Sequence, residues 1–364
     1  CNQGGSIIDW VMKAEGVSFR HAVEVLRADY DALNGTPPGQ PVKLSTVRKL
    51  SSPVALDAGD HELLGRVADF YHQTLLKSPE ALAYLAKRGL DAPGLAERFK
   101  LGYANRTLGY RLPEKNRLAG AELRGRLQKL GIMRESGHEH LAGSLTVPIF
   151  DARGNVVQMY GRKLLDTLRS GTAKHLNLPG PLRGVWNEPA LKGRKEVILC
   201  EALIDAMTFW CAGFPNVTAS LGASNLTEEH LATFKRLGIE RVVIAYDRDD
   251  SGDEGANAMA PRLFAAGFAC YRALFPHGMD ANEYALKVKP ASKSLALILR
   301  SAAWMGNGAP PPRPEPVPEA CADPPAELAT VPAADAEPAL PEPLPPLAAK
   351  EGSMNETVPI VEAD

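Results

Sequence analysis

The sequence predicts an α/β protein organised around a doubly wound parallel sheet over residues 191–290. Three observations predict it. Apolar runs rich in β-branched residues at 196–201 and 241–246 are each long enough for a strand and too short for a buried helix. Helical and strand patterns alternate between and after them, with connections of a few residues, as in a parallel sheet. Each of the two runs ends in acids: Glu201 with Asp205 four residues on, then Asp247, Asp249 and Asp250 ahead of Gly252. In a doubly wound sheet the C-terminal strand ends lie side by side, at the edge where ligands bind.

In order, strand 196–201 leads to a helix from Asp205 to Cys211, and 216–221 is the second strand. Thr227-Glu228-Glu229 opens the second helix, 241–246 is the third strand, 254–265 a helix and 269–274 a fourth strand. Clustered carboxylates repel one another unless a hard cation neutralises them, and oxygen-only ligands favour Mg²⁺ or Mn²⁺. Such ions stabilise both oxygens of an in-line phosphoryl displacement. Gly252 permits a tight turn after the acids. Taken singly, Glu201 and Asp205 read equally as a solvated helix start, and residues 247–250 as an acidic loop. The pairing of the two at βαβα spacing favours a site.

Ahead of the sheet, Ser6 and Asp9 form a capping box for a helix using Ile7, Ile8, Val11 and Met12. A second helix runs from Ser18 on Ala22, Val23 and Leu26. Residues 34–60 are rich in Gly, Pro and Ser and read as a linker. Helical periodicity resumes at His61 and restarts at Pro79, a favoured first-turn residue. A short strand over 99–104, a helix over 121–131 and a hairpin (145–150, turn 151–155, 156–160) follow. Gly161-Arg162-Lys163 and Lys174-His175-Leu176-Asn177 come next; the commonest reading of any one such cation is a solvated basic loop.

Glu201-x3-Asp205 with Asp247-x-Asp249-x2-Gly252 resembles the TOPRIM domain of primases, topoisomerases and nucleases. Other segments narrow this to bacterial DnaG-type primases. Cys1-x2-Gly4-Gly5-x-Ile7-x-Asp9-Trp10 resembles the end of their zinc-binding domain. Arg88-Gly89-Leu90, Arg98-Phe99-Lys100-Leu101-Gly102-Tyr103-Ala104, the Gly161-Arg162 after the hairpin and Lys174-x-Leu176-Asn177 resemble their catalytic core. The resemblance implies domains at 1–33 (zinc-domain remnant), 61–190 (N-terminal core subdomain) and 191–290 (TOPRIM), joined by linker 34–60. A helical extension over 291–304 and a disordered Pro/Ala/Glu-rich tail over 305–364 are expected to follow.

It also implies template-directed joining of ribonucleotides on single-stranded DNA, with Glu201, Asp205, Asp247 and Asp249 catalytic. Mg²⁺ would be held by Glu201, Asp247, Asp249, Asp280 and, more weakly, Asn282, which stands where the family has a second acid. Arg162, Lys163, Lys174 and Asn177 would position phosphates. Cys1 would be the last of four Zn²⁺ ligands, the other three lying upstream of a chain that starts at Cys rather than Met and so reads as a fragment. Implied partners are ribonucleoside triphosphates and a replicative helicase. A second departure is that an arginine-rich segment of the family is replaced by His140-Leu141-Ala142-Gly143-Ser144, which removes positive charge near the expected template path. The alternatives left open are a TOPRIM nuclease and a non-catalytic DNA-binding replication protein. The topoisomerase reading lacks a tyrosine whose context marks it.

Composition fits these readings. The 364 residues are 45% hydrophobic, enough for more than one domain. Residues 305–364 hold Arg313 and Lys350 against eleven acids, a net of -9, which leaves a body of +7. Cysteines at 1, 200, 211, 270 and 321 show no disulfide framework, which suits a reducing, cytoplasmic setting. No run of 18 uncharged apolar residues or signal peptide is visible, so no membrane is expected.

Overall fold

The computed structural model describes residues 6–15, 19, 21–23, 25, 26, 59–165 and 167–311. Cys1, positions 34–58 of the expected linker and the expected tail from 312 on lie outside the described residues.

The first helix, α1 (Ile7–Glu15), carries the expected capping box: Ser6 N–H donates to Asp9 at 2.8 Å and Asp9 N–H to the Ser6 hydroxyl at 3.2 Å. Val11 packs on Ala22, which lies in the second helical stretch. The next elements are α2 (Asp60–Leu76), α3 (Pro79–Lys87), α4 (Leu95–Arg98), β1 (Gly102–Ala104), α5 (Leu108–Arg111) and α6 (Leu118–Lys129). A four-stranded antiparallel sheet, in order β1-β2-β3-β4, is completed by β2 (Ser144–Phe150), β3 (Val156–Lys163) and β4 (His175–Asn177). The hairpin turn falls where expected, but β3 runs on to Lys163. Arg162 and Lys163 therefore sit in a strand, paired with β4, and not in a loop.

The second sheet is β5 (Glu196–Cys200), β6 (Val217–Ala219), β7 (Arg241–Ala245), β8 (Ala269–Arg272) and β9 (Ala303–Trp304), in order β6-β5-β7-β8-β9. The first four are parallel, with helices α7 (Leu203–Cys211), α8 (Glu228–Leu237) and α9 (Asp250–Ala265) between them. Two short helices follow, α10 (Ala281–Lys287) and α11 (Ala291–Arg300). Residues 303–304 then return as β9, antiparallel to β8. The expected helical extension thus also closes the edge of the sheet.

Period-two burial explains the layers. Ile198, Cys200, Val243 and Ala245 face one hydrophobic cluster, while Val197, Leu199, Val242 and Ile244 face another. The first cluster is shared with the N-terminal subdomain through Tyr84, Leu85, Phe99 and Tyr160. Phe99 stacks on Trp186 with ring centroids 4.3 Å apart and meets Trp210 edge-on at 5.3 Å. This common core holds the antiparallel sheet against the acid-bearing edge of the parallel one.

Glu139 is buried beneath the smaller sheet. It accepts from the Tyr71 hydroxyl at 2.9 Å and from Leu108 N–H at 3.0 Å. Burial pushes its carboxyl up to about 7. The folded protein therefore holds a proton that the unfolded chain releases above its ordinary carboxylate pKa. Stability falls as pH rises through the window from about 4.5 to about 7. Glu139→Gln keeps the shape without the charge. Urea titrations should show a flatter pH profile in that window and a gain on the order of 2 kcal/mol above it.

Candidate active site

Parallel register places Cys200 beside Ala245, so Glu201 and Asp247 emerge from adjacent strands at the same edge of the sheet. The helices that start at this edge bring the other acids in. Asp249 caps α9, accepting from Gly252 N–H at 2.8 Å, and Asp280 caps α10, accepting from Glu283 N–H at 2.6 Å. Gly252 is required by close packing: a Cβ there would lie 2.2 Å from the Asp247 carbonyl oxygen. Asp205 sits in the first turn of α7 and is buried.

The electrostatics show that these carboxylates feel one another. Burial and then the charge of Glu201, Asp280 and Asp249 push Asp247 up to about 7. Burial, then Asp280 and Asp247, hold Asp205 well above the usual carboxylate range. Glu201 is raised by burial and by Asp249. Like charges gathered in a partly buried site make a place that a cation would stabilise. Among the described residues no three His, Cys, Asp or Glu side chains form a finished metal cage. Mg²⁺ keeps several waters and is commonly held by one or two carboxylates together with substrate phosphates. The donor set, oxygen only and anionic, suits a hard divalent cation.

Asn282 is held on all sides by its neighbours. It is fully buried, its Oδ1 accepts from the Arg88 guanidinium at 3.2 Å, and its Nδ2 donates to the Arg88 carbonyl and to Thr208 Oγ1, both at 2.8 Å. Its backbone N–H donates to Asp205 Oδ1 at 3.1 Å. With its amide bonded to Arg88 and Thr208, Asn282, which the sequence suggested as a weak Mg²⁺ ligand, ties the end of α3 to α7.

The basic residues divide in two. Register pairs Tyr160 with Asn177 and Arg162 with His175, so these four side chains share one face of the β3–β4 ribbon. Tyr160 feels the charge of Asp205 and Arg88, which places this face beside the acids. Arg162 donates to His175 Nε2, so the ring proton lies on Nδ1, 2.6 Å from the Tyr160 hydroxyl. Burial and then Arg162 hold His175 down to about 4, so the ring is neutral. Two buried atoms here, Arg162 Nε and Asn177 Oδ1, have no protein partner. Lys163, the next residue along, points to the opposite face and donates to the Ala142 carbonyl. Lys174 immediately precedes β4, its carbonyl accepting from Lys163 N–H at 3.0 Å.

Sequence reasoning missed Arg272. It is buried at the end of β8, donates to the carbonyls of Tyr246 and Asp247, each at 2.9 Å, and pairs with Asp253 at 3.0 Å. Its charge offsets part of the repulsion on Asp247 and Glu201. An arginine closing an apolar strand next to the acidic strand end was the available signal.

Comparison with known proteins finds relatives for both subdomains. A family described as the DNA primase catalytic core, N-terminal domain, matches residues 70–181, and a Toprim-like family matches 198–285. A DNA primase of Aquifex aeolicus is 29% identical over 297 residues, covering 78% of this chain and 55% of the relative. One of Listeria monocytogenes is 30% identical over 279 residues, covering 70% and 42%. The chain thus spans about half the length of the curated relatives it matches. Among solved structures, the zinc-binding and RNA polymerase domains of the Aquifex aeolicus primase superpose with a TM-score of 0.57 at 24% identity, covering 83% of this chain and 71% of that one. A DnaG catalytic domain bound to single-stranded DNA gives 0.53 at 23%, covering 67% and 81%. These structural likenesses share the fold. With both core families matched in order, and curated DNA primases as relatives along most of its length, the chain carries the N-terminal domain of a DNA primase catalytic core followed by a Toprim-like domain.

Proposed function

We propose that the chain carries the catalytic core of a primer-synthesising nucleotidyltransferase, which joins ribonucleotides on a single-stranded DNA template. The observation that supports this best is the meeting of Glu201, Asp205, Asp247 and Asp280 at one sheet edge, beside a face bearing Arg162 and Asn177. In the reaction a 3′-hydroxyl attacks the α-phosphate of an incoming nucleoside triphosphate and pyrophosphate leaves. Glu201, Asp247, Asp249 and Asp280 would hold Mg²⁺, which supplies the charge that steadies the attacking and leaving oxygens.

The chain's own groups do the rest. Glu201, with its raised carboxyl, would serve the cation as a ligand or else, as general base, take the proton of the 3′-hydroxyl. Asp205, buried and anchored by Asn282 N–H, stays behind the cluster and sets its field. Arg162, oriented by neutral His175, would bring its positive charge to the nucleotide's phosphates from the face that neighbours the acids. No covalent intermediate is needed, because positioning and electrostatics carry phosphoryl transfer. A Zn²⁺ site would take Cys1 as one of four ligands. A replicative helicase as partner and a cytoplasmic location go with the same reading; among the described residues no helix is long and apolar enough to cross a membrane.

The test is an incubation of the chain with single-stranded template, Mg²⁺ and labelled ribonucleotides. Short template-dependent products support the proposal. DNA binding without products would favour a non-catalytic role, and cleavage of the template would favour a nuclease.

A further inference from the structure

The loss of arginines from the 140–144 segment was expected to thin the positive charge along the template path. The structure shows cations brought to that same spot from other elements. Lys163 donates to the Ala142 carbonyl, and the Arg106 guanidinium lies 3.5 Å from where a Cβ on Gly143 would stand. Both line a cavity of about 650 Å³. Its walls are α3, through Glu80, Tyr84 and Lys87, the residues after β1, the Ala142-Gly143 turn, and the segment after β3 that includes Arg169.

We propose that this cavity, separate from the acid cluster, binds the phosphates of a nucleotide through Lys87, Arg106, Lys163 and Arg169. Four observations support it. Among the described residues the lining holds four cations, Lys87, Arg106, Lys163 and Arg169, and one carboxylate, Glu80. The hydrogen bond of Lys163 goes to a neutral carbonyl, and burial, then the charges of Arg106 and Arg134, hold its ammonium below the usual range. Cations crowded in this way are relieved by an anion. Arg106 adopts φ 74, a left-handed conformation that a side chain other than glycine tolerates at a cost and that marks functional positions more often than others. Finally, Tyr84 and Tyr103 give the cavity flat apolar walls, and its volume lies within the range of small-ligand sites.

The cavity lies one side chain from the proposed centre. Tyr84 is in its wall, and Tyr84, Arg88 and Asp205 all act electrostatically on Tyr160. A phosphate held here therefore belongs either to a single DNA strand passing toward the acids or to a nucleoside triphosphate on its way to them. The identity of the ligand rests on the primase reading; the anion site itself does not.

The experiment measures binding by fluorescence anisotropy on the full chain without divalent cation, so that no turnover enters. The probes are a labelled single-stranded oligodeoxynucleotide and, separately, a labelled GTP. The double variant Arg106→Ala/Lys163→Ala should weaken binding of one probe about 10-fold. For the oligonucleotide the slope of log affinity against log salt should also fall by about 1.4, the loss of two phosphate contacts. Arg106→Lys/Lys163→Arg, which keeps both charges, should restore binding. Lys87→Ala/Arg169→Ala, at exposed side chains, should weaken the same probe even if the first pair proves too unstable to measure. Loss for the oligonucleotide assigns the cavity to the strand, and loss for GTP assigns it to the free nucleotide. Unchanged affinity for both probes in both alanine pairs overturns the proposal. In a separate assay with Mg²⁺, template and ribonucleotides, Asp247→Ala should make no primer. Primer made by Asp247→Ala would count against the primase reading and leave the anion site untouched.

Discussion

Replacing Asp247 by Asn should abolish primer synthesis and at the same time make the cation-free protein more stable at about pH 8. The two effects have one cause. The Asp247 carboxyl is raised to about 7 because it is buried among Glu201, Asp280 and Asp249. Below its unfolded pKa both states are protonated and the group is neutral to stability. Between that value and about 7 the folded state keeps the proton and the unfolded state does not, so stability falls as pH rises; above about 7 the whole penalty remains. Asn removes that penalty. Because Asp247 is part-exposed and its neighbours are screened, the gain should be on the order of 1–2 kcal/mol, present above about pH 7 and absent below about pH 4. Synthesis should fall by on the order of 10³-fold or more, the scale seen when a group that stabilises transition-state charge is removed. A thermal melt with a pH series, read beside the priming assay, checks both. Loss of activity accompanied by loss of stability would mean that Asp247 serves the fold.

Asn282→Ala should be the most destabilising single change at the boundary between the subdomains. It removes a partner from the half-buried Arg88 guanidinium and strands the Arg88 carbonyl and one bond of buried Thr208 around a fully buried position. Leaving such groups unpaired costs about 3 kcal/mol or more, measurable by urea denaturation. Asn282→Asp is the sharper comparison. If residue 282 ligated Mg²⁺, adding its charge would tighten the metal. The structure puts a carboxylate oxygen there against the Arg88 carbonyl and beside Asp205, so this variant should lose stability and gain no Mg²⁺ affinity.

The parallel sheet was legible because both its faces are buried. Runs such as Val197-Ile198-Leu199 and Val242-Val243-Ile244 are apolar throughout, and each hands its acids to the same edge. The capping boxes were legible too, since Ser6 with Asp9 act over three residues. Thr227, expected only to open a helix, proves to be part of a full box with His230. What escaped were contacts between residues distant in sequence. Arg88 and Asn282 stand 194 residues apart, and nothing local shows which way an amide at the start of α10 will turn. Strand β9 is two residues long, below any periodic signal, and exists because β8 offers it an edge. The split between Arg162 and Lys163 follows from strand alternation, once β3 is known to extend that far.

Binding of Mn²⁺, followed by its electron paramagnetic resonance signal in the absence of nucleic acid, tests the convergence of the acids most directly. Wild-type protein should take up the ion, Asp247→Asn and Glu201→Gln should each lose most of that uptake, and Asn282→Ala, where it remains folded, should keep it. Equal uptake by wild type, Asp247→Asn and Glu201→Gln would mean that these side chains do not share a cation, and the proposed catalytic centre would have to be abandoned.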